Sequence, residues 1–395
     1  MSNVSAKVAH LASPRQRLAS ALDIARVNAD DVDQKGRFPQ EAIEALKKAQ
    51  LMGIMIPVEC GGENASLADI VDMCGALGQA CASTAMIFAM HHIKVSSLVT
   101  HGLDSNWHRD FMRRVVDEQF LIGSATTEGG IGGDVRNSIC AIEPEGDSFT
   151  LTKEANVISY GLNADAIMVT ARRNTQAASS DQVMTVIERE QYALQMTIPW
   201  DTLGMRGTCS EGFLFKCRAP SNQIFPHPFA EIAAQSMLAM SHLMWAGVWF
   251  GIAADATTRA QNYLRAEARK KPGSTPPAAV RLAEMFVLLQ EMKSVVMTGI
   301  VTYEKAKVHS DTLSSVGFSI AMNNVKIATS QAVVDIVQSA MMIAGISSYR
   351  TGGKFSLGRH MRDALSAAIM VNNDRIVANT SNLTLVSKYD TNLVA

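Results

Sequence analysis

Hydrophobic and polar positions alternate with helical spacing through the first part of the chain. The pair Ser13-Pro14 is typical of a helix start, and apolar residues recur at intervals of three and four after it. The same spacing predicts a second helix over 39–53 and a long helical stretch over 66–101. We expect Asp104 to cap the next helix. The pattern therefore predicts an α-helical N-terminal domain over 1–119.

The pattern changes over 120–222. Short stretches rich in β-branched and aromatic residues are separated by clusters of Gly, Asn, Asp and Ser. This is typical of a small antiparallel sheet or barrel, and the fold class is therefore predicted as α+β. The predicted strands are 120–126, 137–143, 148–151, 166–171, 183–187 and 212–217.

Helical spacing returns in the third predicted domain, 223–395. One apolar stripe steps by three and four along a long helix, through Leu282, Met285, Leu289, Met292 and Val296. The stretches 323–344 and 359–386 behave similarly, and a basic, proline-rich loop is predicted over 265–277. The segment 232–254 has no charged side chain and is long enough to cross a bilayer. Because it carries several polar residues and lacks basic flanks, we interpret it as a buried helix with no membrane span.

Composition narrows the function classes. The chain has 395 residues with 36 Lys+Arg against 37 Asp+Glu, a net charge of −1, which argues against general nucleic-acid binding. No signal-peptide pattern opens the sequence, which argues against secretion. The six cysteines form no CxxC pair and no cluster with zinc-ligand spacing, so we expect a reduced, cytoplasmic setting and no metal site.

A glycine-rich loop follows the first predicted strand. Residues 124–134 read SATTEGGIGGD, and four glycines let backbone N–H groups approach a ligand's anionic oxygens. Thr126 and Thr127 add hydroxyls that are able to bond the edge of a heterocycle. A plain turn without a ligand is the alternative. A Rossmann motif is excluded because the loop does not open a helix.

This loop and three further segments complete a resemblance. Residues 127–134 (TEGGIGGD), 156–161 (NVISYG), 203–208 (LGMRGT) and 361–364 (MRDA) occur in the order seen in the acyl-CoA dehydrogenase superfamily, which the chain resembles over nearly its whole length. The resemblance implies a helical N-terminal domain, a central β-barrel domain and a C-terminal four-helix bundle.

The resemblance also implies FAD between barrel and bundle. Thr126 and Thr127 would bond the flavin ring, Ser159 would lie near flavin N5, and Gly132 and Gly133 would face the pyrophosphate. Gly133 stands where the family has serine. The other implied cofactor residues are Arg265 and Arg269 (across a subunit boundary), Gly345, Asn373 and Arg375.

The usual catalytic glutamate is missing. Its position is occupied by Val371, which has no lone pair and cannot act as a base. Some relatives place the glutamate on the first bundle helix, where this chain has Ser241 beside His242. The catalytic candidates are therefore His242 and Asp374. A hydrogen-bonded core histidine and a solvated helix charge are the alternatives.

Three functions follow from the resemblance. The first is α,β-dehydrogenation of an acyl thioester, carried by coenzyme A or an acyl carrier protein, with hydride transfer to flavin N5. Its electron acceptor would be an electron-transfer flavoprotein or oxygen. The second is a flavin-dependent monooxygenase, which the missing glutamate favours, and the third is a flavin-binding homologue without turnover. A homodimer or homotetramer in the cytoplasm is expected.

Overall fold

The computed structural model describes residues 12–131 and 134–388. Its first part is helical, as predicted. A capping box between Ser13 and Gln16 starts the first helix. The second helix is shorter than predicted, and Ser105, not Asp104, caps the fifth. The helices are α1 (Pro14–Lys35), α2 (Gln40–Lys48), α3 (Leu67–Ala80), α4 (Ala82–His101) and α5 (Asn106–Glu118).

The central part forms two sheets. The strands are β1 (Ile122–Ala125), β2 (Glu143–Glu145), β3 (Ser148–Ala155), β4 (Ala166–Arg172), β5 (Gln182–Glu188), β6 (Tyr192–Ile198) and β7 (Gly212–Pro220). One sheet has the order β1-β4-β5, and the other is antiparallel with the order β2-β3-β7-β6.

Three details of the sheets differ from the prediction. β1 and β4 pair in parallel, with Ala125 opposite Val169, so the first sheet is not purely antiparallel. The strand predicted over 137–143 is wrong, because only its last residue starts β2. β6 was missed because most of its side chains are exposed at a sheet edge, and the alternation that marks a half-buried strand is lost.

The third part is helical again, so the predicted order of helical, β and helical regions is confirmed. One continuous helix runs from Phe229 through a π-helical segment (Ala233–Met237) into α6 (Leu238–Lys270). It is followed by α7 (Ala279–Ala306), α8 (Val316–Ala344), α9 (Gly358–Leu365) and α10 (Asn373–Thr384). One-turn helices at Ser310–Leu313 and Ile346–Tyr349 flank α8. α6, α7 and α8 pack on one another, and α10 packs on α8.

The uncharged segment of α6 lies in the interior. It crosses α3 so closely that a side chain at Gly251 would come within 2.3 Å of the Gly75 carbonyl oxygen. A side chain at Gly78 would meet the Val248 carbonyl oxygen at 2.6 Å. Glycines on both helices therefore allow this contact, which joins the N-terminal helices to the bundle.

By length and composition alone, three helices qualify as possible membrane spans: 229–270, α7 and α8. The apolar window is 78% buried in the first, but 22% in α7 and 44% in α8. On α7 the exposed apolar side chains include Phe286, Val287 and Met297. The sequence had singled out only the first helix.

Candidate functional site

The loop after β1 presents two threonines at the end of a buried strand. The Thr126 carbonyl accepts a hydrogen bond of 3.5 Å from the Thr170 hydroxyl on β4. The Thr127 hydroxyl is buried and has no hydrogen-bond partner in the described structure. A buried polar group without a partner is costly, so this hydroxyl is suited to a ligand that supplies the missing bond.

A buried ion pair anchors this loop to β3. The Glu128 carboxylate, 4% exposed, accepts a bond of 2.8 Å from Lys153 Nζ, whose side chain is fully buried on β3. It also accepts the backbone N–H groups of Ile139 and Cys140 at 2.8 and 3.0 Å, and the Ser138 hydroxyl. Burial alone would raise the pKa of Glu128, but Lys153 and these donors lower it to about 2. The carboxylate therefore stays charged and holds the loop in place.

Ser159 lies at one end of a chain of hydroxyl groups. Its Oγ accepts a bond of 2.8 Å from Ser210, whose Oγ lies 2.8 Å from that of Thr208. The neighbouring Tyr160 donates its hydroxyl to the Ile122 carbonyl at 3.0 Å, which ties the turn at Ser159 to the start of β1. The positions of Ser159 and of the threonine loop are thus both set by β1.

A second motif loop touches the C-terminal helices. A side chain at Gly204 would lie 2.1 Å from the Arg362 carbonyl oxygen, so only glycine fits there. The Met205 N–H donates to Asp363 Oδ1 at 2.7 Å. Burial raises the pKa of Asp363 to about 6. Arg362 also bonds Asp33 of α1, so this contact joins all three regions of the chain.

The bundle contains a buried polar centre around Lys326 of α8. Lys326 Nζ donates to the Val371 carbonyl at 2.7 Å and to the Asn373 side chain. It lies 5.9 Å from the centre of the Trp249 ring on α6. One turn earlier on α8, the Met322 carbonyl lies 3.1 Å from His242 Nδ1. The structure therefore brings His242 close to the segment that carries Val371 and Asn373.

Burial weakens both basic groups in this centre. It lowers the pKa of Lys326 to about 8 and that of His242 to about 4, and Lys326 adds to the effect on His242. Around pH 7 the lysine is mostly charged and the histidine is neutral. No carboxylate within residues 12–131 and 134–388 is bonded to Lys326 Nζ.

Val371 itself has an unusual backbone. Its φ is 52°, in the left-handed region that β-branched residues avoid. Its carbonyl is bonded by Lys326, and the helix α10 starts directly after it, capped by the Asn372 side chain. Strained residues of this kind concentrate at functional sites, where neighbouring contacts hold them.

The remaining predicted residues are distributed differently. Asp374 and Arg375 are exposed on the first turn of α10, and Gly345 ends α8 with φ 54°. The predicted 265–277 loop is wrong in its first part, because Arg265 and Arg269 lie on α6. They are 23 and 27 residues beyond His242 on one helix, roughly 35 and 40 Å away.

Gly132 and Gly133 lie outside the described residues. The Asn373 side chain is bonded within the bundle, to Lys326 and Ser330. Binding of a cofactor by the predicted residues stays a prediction.

Sequence reasoning missed Lys326 and the Glu128–Lys153 pair. One signal was present for Lys326, since it is one of only two charged residues in the 29-residue helix α8. Because a lysine is rarely fully buried without a partner, a charge on a largely apolar helix marks a residue to inspect. Lys153 gives no such signal, because it lies in a strand whose buried and exposed positions alternate in the usual way.

Comparison with known proteins identifies the family to which the chain is similar. The family described as "Acyl-CoA dehydrogenase, N-terminal domain" matches residues 21–119, and "Acyl-CoA dehydrogenase, C-terminal domain" matches 232–378. Cyclohex-1-ene-1-carbonyl-CoA dehydrogenase of Geobacter metallireducens is 26% identical over 49% of this chain and 51% of its own length. L-evernosamine nitrososynthase of a Micromonospora species is 26% identical over 60% and 57%. The chain thus spans between half and three fifths of these two relatives.

Among solved structures, the FMN-bound dibenzothiophene monooxygenase TdsC from Paenibacillus sp. A11-2 superimposes with a TM-score of 0.82. The match covers 95% of this chain and 98% of that one at 18% identity, which shows a shared fold.

Proposed function

The chain belongs to the acyl-CoA dehydrogenase superfamily, and on that premise we propose that it is a flavin-dependent oxidoreductase that acts as a monooxygenase. Such an enzyme transfers one oxygen atom of O2 to its substrate and releases the other as water, with two electrons taken from a reduced flavin. One observation carries the proposal. Val371 stands at the position where relatives have the catalytic glutamate, and Lys326 Nζ lies 2.7 Å from the carbonyl oxygen of Val371.

The residues after β1 fit a flavin ring. The ring presents nitrogen and carbonyl acceptors at its edge, and the unpartnered hydroxyl of Thr127 would donate to one of them. Thr126 and Ser159 would bond the same ring from adjacent loops. When bound, the flavin supplies the electrons of the reaction. FAD is the prediction from the resemblance, and FMN, which the TdsC structure contains, is the alternative.

Dehydrogenation of an acyl thioester needs a base that removes the proton next to the carbonyl. Val371 offers none, and an ammonium group adjoins it. A lysine that is mostly protonated cannot accept this proton, but it stabilises negative charge that develops nearby. Monooxygenation requires no carboxylate base at this place. The electrostatics of the centre therefore favour the monooxygenase.

An acyl-thioester dehydrogenase that uses His242 as its base is the second candidate. His242 is supported by its burial in the bundle and by the bond at Nδ1, which leaves Nε2 as the acceptor when Nδ1 carries the proton. Its pKa of about 4 makes it a weak base, which counts against the role. Under this candidate the substrate is an acyl thioester of coenzyme A or a carrier protein, and the acceptor is an electron-transfer flavoprotein.

We also propose that the chain forms a homodimer or homotetramer through α7. Its apolar window is only 22% buried, and the exposed apolar side chains Phe286, Val287 and Met297 would be covered by a second copy. A cytoplasmic location is proposed as well, which agrees with six unpaired cysteines.

Two measurements separate the candidates. The protein is first titrated with FMN and FAD to select the flavin that binds. The reduced complex is then mixed with 18O2 and a panel of sulfur heterocycles, amino-sugar nucleotides and acyl thioesters. One 18O atom in a product supports the monooxygenase. Under anaerobic conditions, bleaching of oxidised flavin by an acyl thioester, with no 18O product in the first assay, would support the dehydrogenase instead.

A matched pair of variants links the result to the centre. Lys326→Met removes the cation and is expected to lower oxygen transfer at least tenfold, whereas Lys326→Arg keeps the charge and should retain more activity. Equal activity in the two variants would contradict the role given to Lys326.

A further inference from the structure

A cluster of two imidazoles and a carboxylate lies away from the site described above. His101 is the last residue of α4, and His227 and Glu231 precede α6. One ligand atom from each of the three lies within 4.8 Å of the others. Since α6 continues the helix that carries Glu231, the cluster is eleven residues from His242, or about 16 Å along that helix.

The histidine on α4 is prepared for a ligand. Its side chain is 2% exposed, and its Nε2 is buried without a hydrogen-bond partner in the described structure. The rings of His101 and His227 meet edge to face, with an angle of 64° between their planes and centroids 5.3 Å apart.

The second histidine is oriented by carboxylates on both sides. His227 Nδ1 lies 3.1 Å from Glu231 Oε1, and Nε2 lies 3.9 Å from Asp104 Oδ2. If His227 coordinated through Nδ1, its Nε2–H would face Asp104, which is the outer-shell partner that metal-bound histidines usually have.

We propose that His101, His227 and Glu231 bind a divalent transition-metal ion of the zinc class. Two imidazole nitrogens and one carboxylate oxygen suit Zn²⁺ and its neighbours, whereas Mg²⁺ and Ca²⁺ prefer oxygen ligands alone. Zn²⁺ binds such atoms at about 2.0–2.2 Å, so ligand atoms around it are about 3.4 Å apart. From separations of up to 4.8 Å, each ligand needs an inward movement of roughly 0.8 Å or less. Water completes the coordination, and Asp104 stays in the outer shell beside His227 Nε2.

The site would join two distant parts of the chain. His101 and Asp104 belong to the N-terminal helices, while His227 and Glu231 belong to the segment that leads into the bundle. The ion would therefore stabilise the contact between α4 and the start of α6. A structural role is consistent with this position, because Glu231 lies about 16 Å along the helix from His242.

The test uses the full chain after treatment with a chelator and removal of that chelator. Titration with ZnCl2 in a calorimeter is expected to show one ion per chain with a Kd in the micromolar range or tighter. Co²⁺ at the same site should give visible absorption bands, and MgCl2 should not bind. Zn²⁺ should also raise Tm, because it binds only the folded chain.

Two variants replace partly exposed ligands and are expected to fold, unlike a change at the buried His101. His227→Ala and Glu231→Gln should each weaken Zn²⁺ binding at least tenfold and abolish the Tm increase. His309→Ala, an exposed histidine elsewhere, is the matched control and should bind Zn²⁺ as the original chain does. The proposal is overturned if the original chain shows no saturable binding. It is equally overturned if His227→Ala binds as tightly as His309→Ala, or if Mg²⁺ competes at equal concentration.

Discussion

Removal of the negative charge of Glu128 is expected to destabilise the protein by about 3 kcal/mol at pH 7. Glu128 and Lys153 are buried together under the threonine loop. The variant Glu128→Gln keeps the shape and some hydrogen bonds, but it leaves the fully buried ammonium of Lys153 without its counter-charge.

The magnitude follows from the pKa of the carboxyl group. It falls from 4.5 to about 2 on folding, and each pKa unit corresponds to about 1.4 kcal/mol. Breaking a buried ion pair in other proteins costs about 3–5 kcal/mol, which agrees. With an unfolding entropy of about 2.1 cal/mol/K per residue over the 395-residue chain, the loss lowers Tm by about 4 °C.

The dependence on pH gives a second measure. Because folding lowers the pKa of Glu128, its contribution is complete above pH 4.5 and is lost as the pH falls from 4.5 towards 2. The free energy of unfolding is measured with urea at several pH values. It should therefore differ most between the original chain and the Glu128→Gln variant at neutral pH. The difference should narrow below pH 4.5.

A double-mutant cycle completes the assay. Lys153→Met alone should also destabilise the chain, while the double variant should recover part of the loss because no unpaired charge remains buried. Glu154→Gln, on the next and exposed position of β3, is the control and should change stability little. The reasoning is refuted if Glu128→Gln lies within 0.5 kcal/mol of the original chain, on the order of a surface change, or if the two single effects simply add.

Four further predictions concern the candidate site. His242→Ala should lower turnover by less than tenfold in the monooxygenase; a loss of about 10²-fold or more in steady-state kinetics would identify His242 as a base and favour the dehydrogenase. If the Lys326 charge supports turnover, activity should fall as the pH rises through about 8, and Lys326→Arg should remove this fall in a pH–rate profile. Val371→Gly should raise the free energy of unfolding by about 1 kcal/mol, because glycine accepts φ 52° without strain; a decrease would contradict the strain. Thr127→Val should weaken flavin binding about tenfold through loss of one hydroxyl, measured by fluorescence titration, and unchanged affinity would remove Thr127 from the flavin site.

Local patterns gave much of the fold correctly. The capping pair Ser13-Pro14, the apolar stripe around Met285 and the end of β1, before the glycine loop, all lie where the sequence pattern placed them. Errors arose where burial did not impose a pattern. The edge strand β6 was missed for this reason. Arg265 and Arg269 were placed in a loop because the segment 265–277 is basic and proline-rich, whereas α6 continues to Lys270 before the prolines.

The candidate site was less predictable. The sequence identified Thr127, Ser159, His242 and the absence of a carboxylate at Val371, each from a motif or a helix position. It did not identify the role of Lys326: the isolated charge on α8 was visible, but its partner is a backbone carbonyl 45 residues away, which the local sequence does not reveal.

The sequence by itself determined the order of helical, β and helical regions through its periodicity, and it indicated the family through motifs that resemble those of the superfamily. The loss of the usual base at Val371 is implied by that resemblance and stays a prediction. Only the tertiary structure decided which charges are buried together. Glu128 in the loop after β1 meets Lys153 of β3, 25 positions later, and His101 meets His227 across 126 positions of the chain. The physical reason is that electrostatic energy depends on distance and burial in space, and a chain can bring any two positions together.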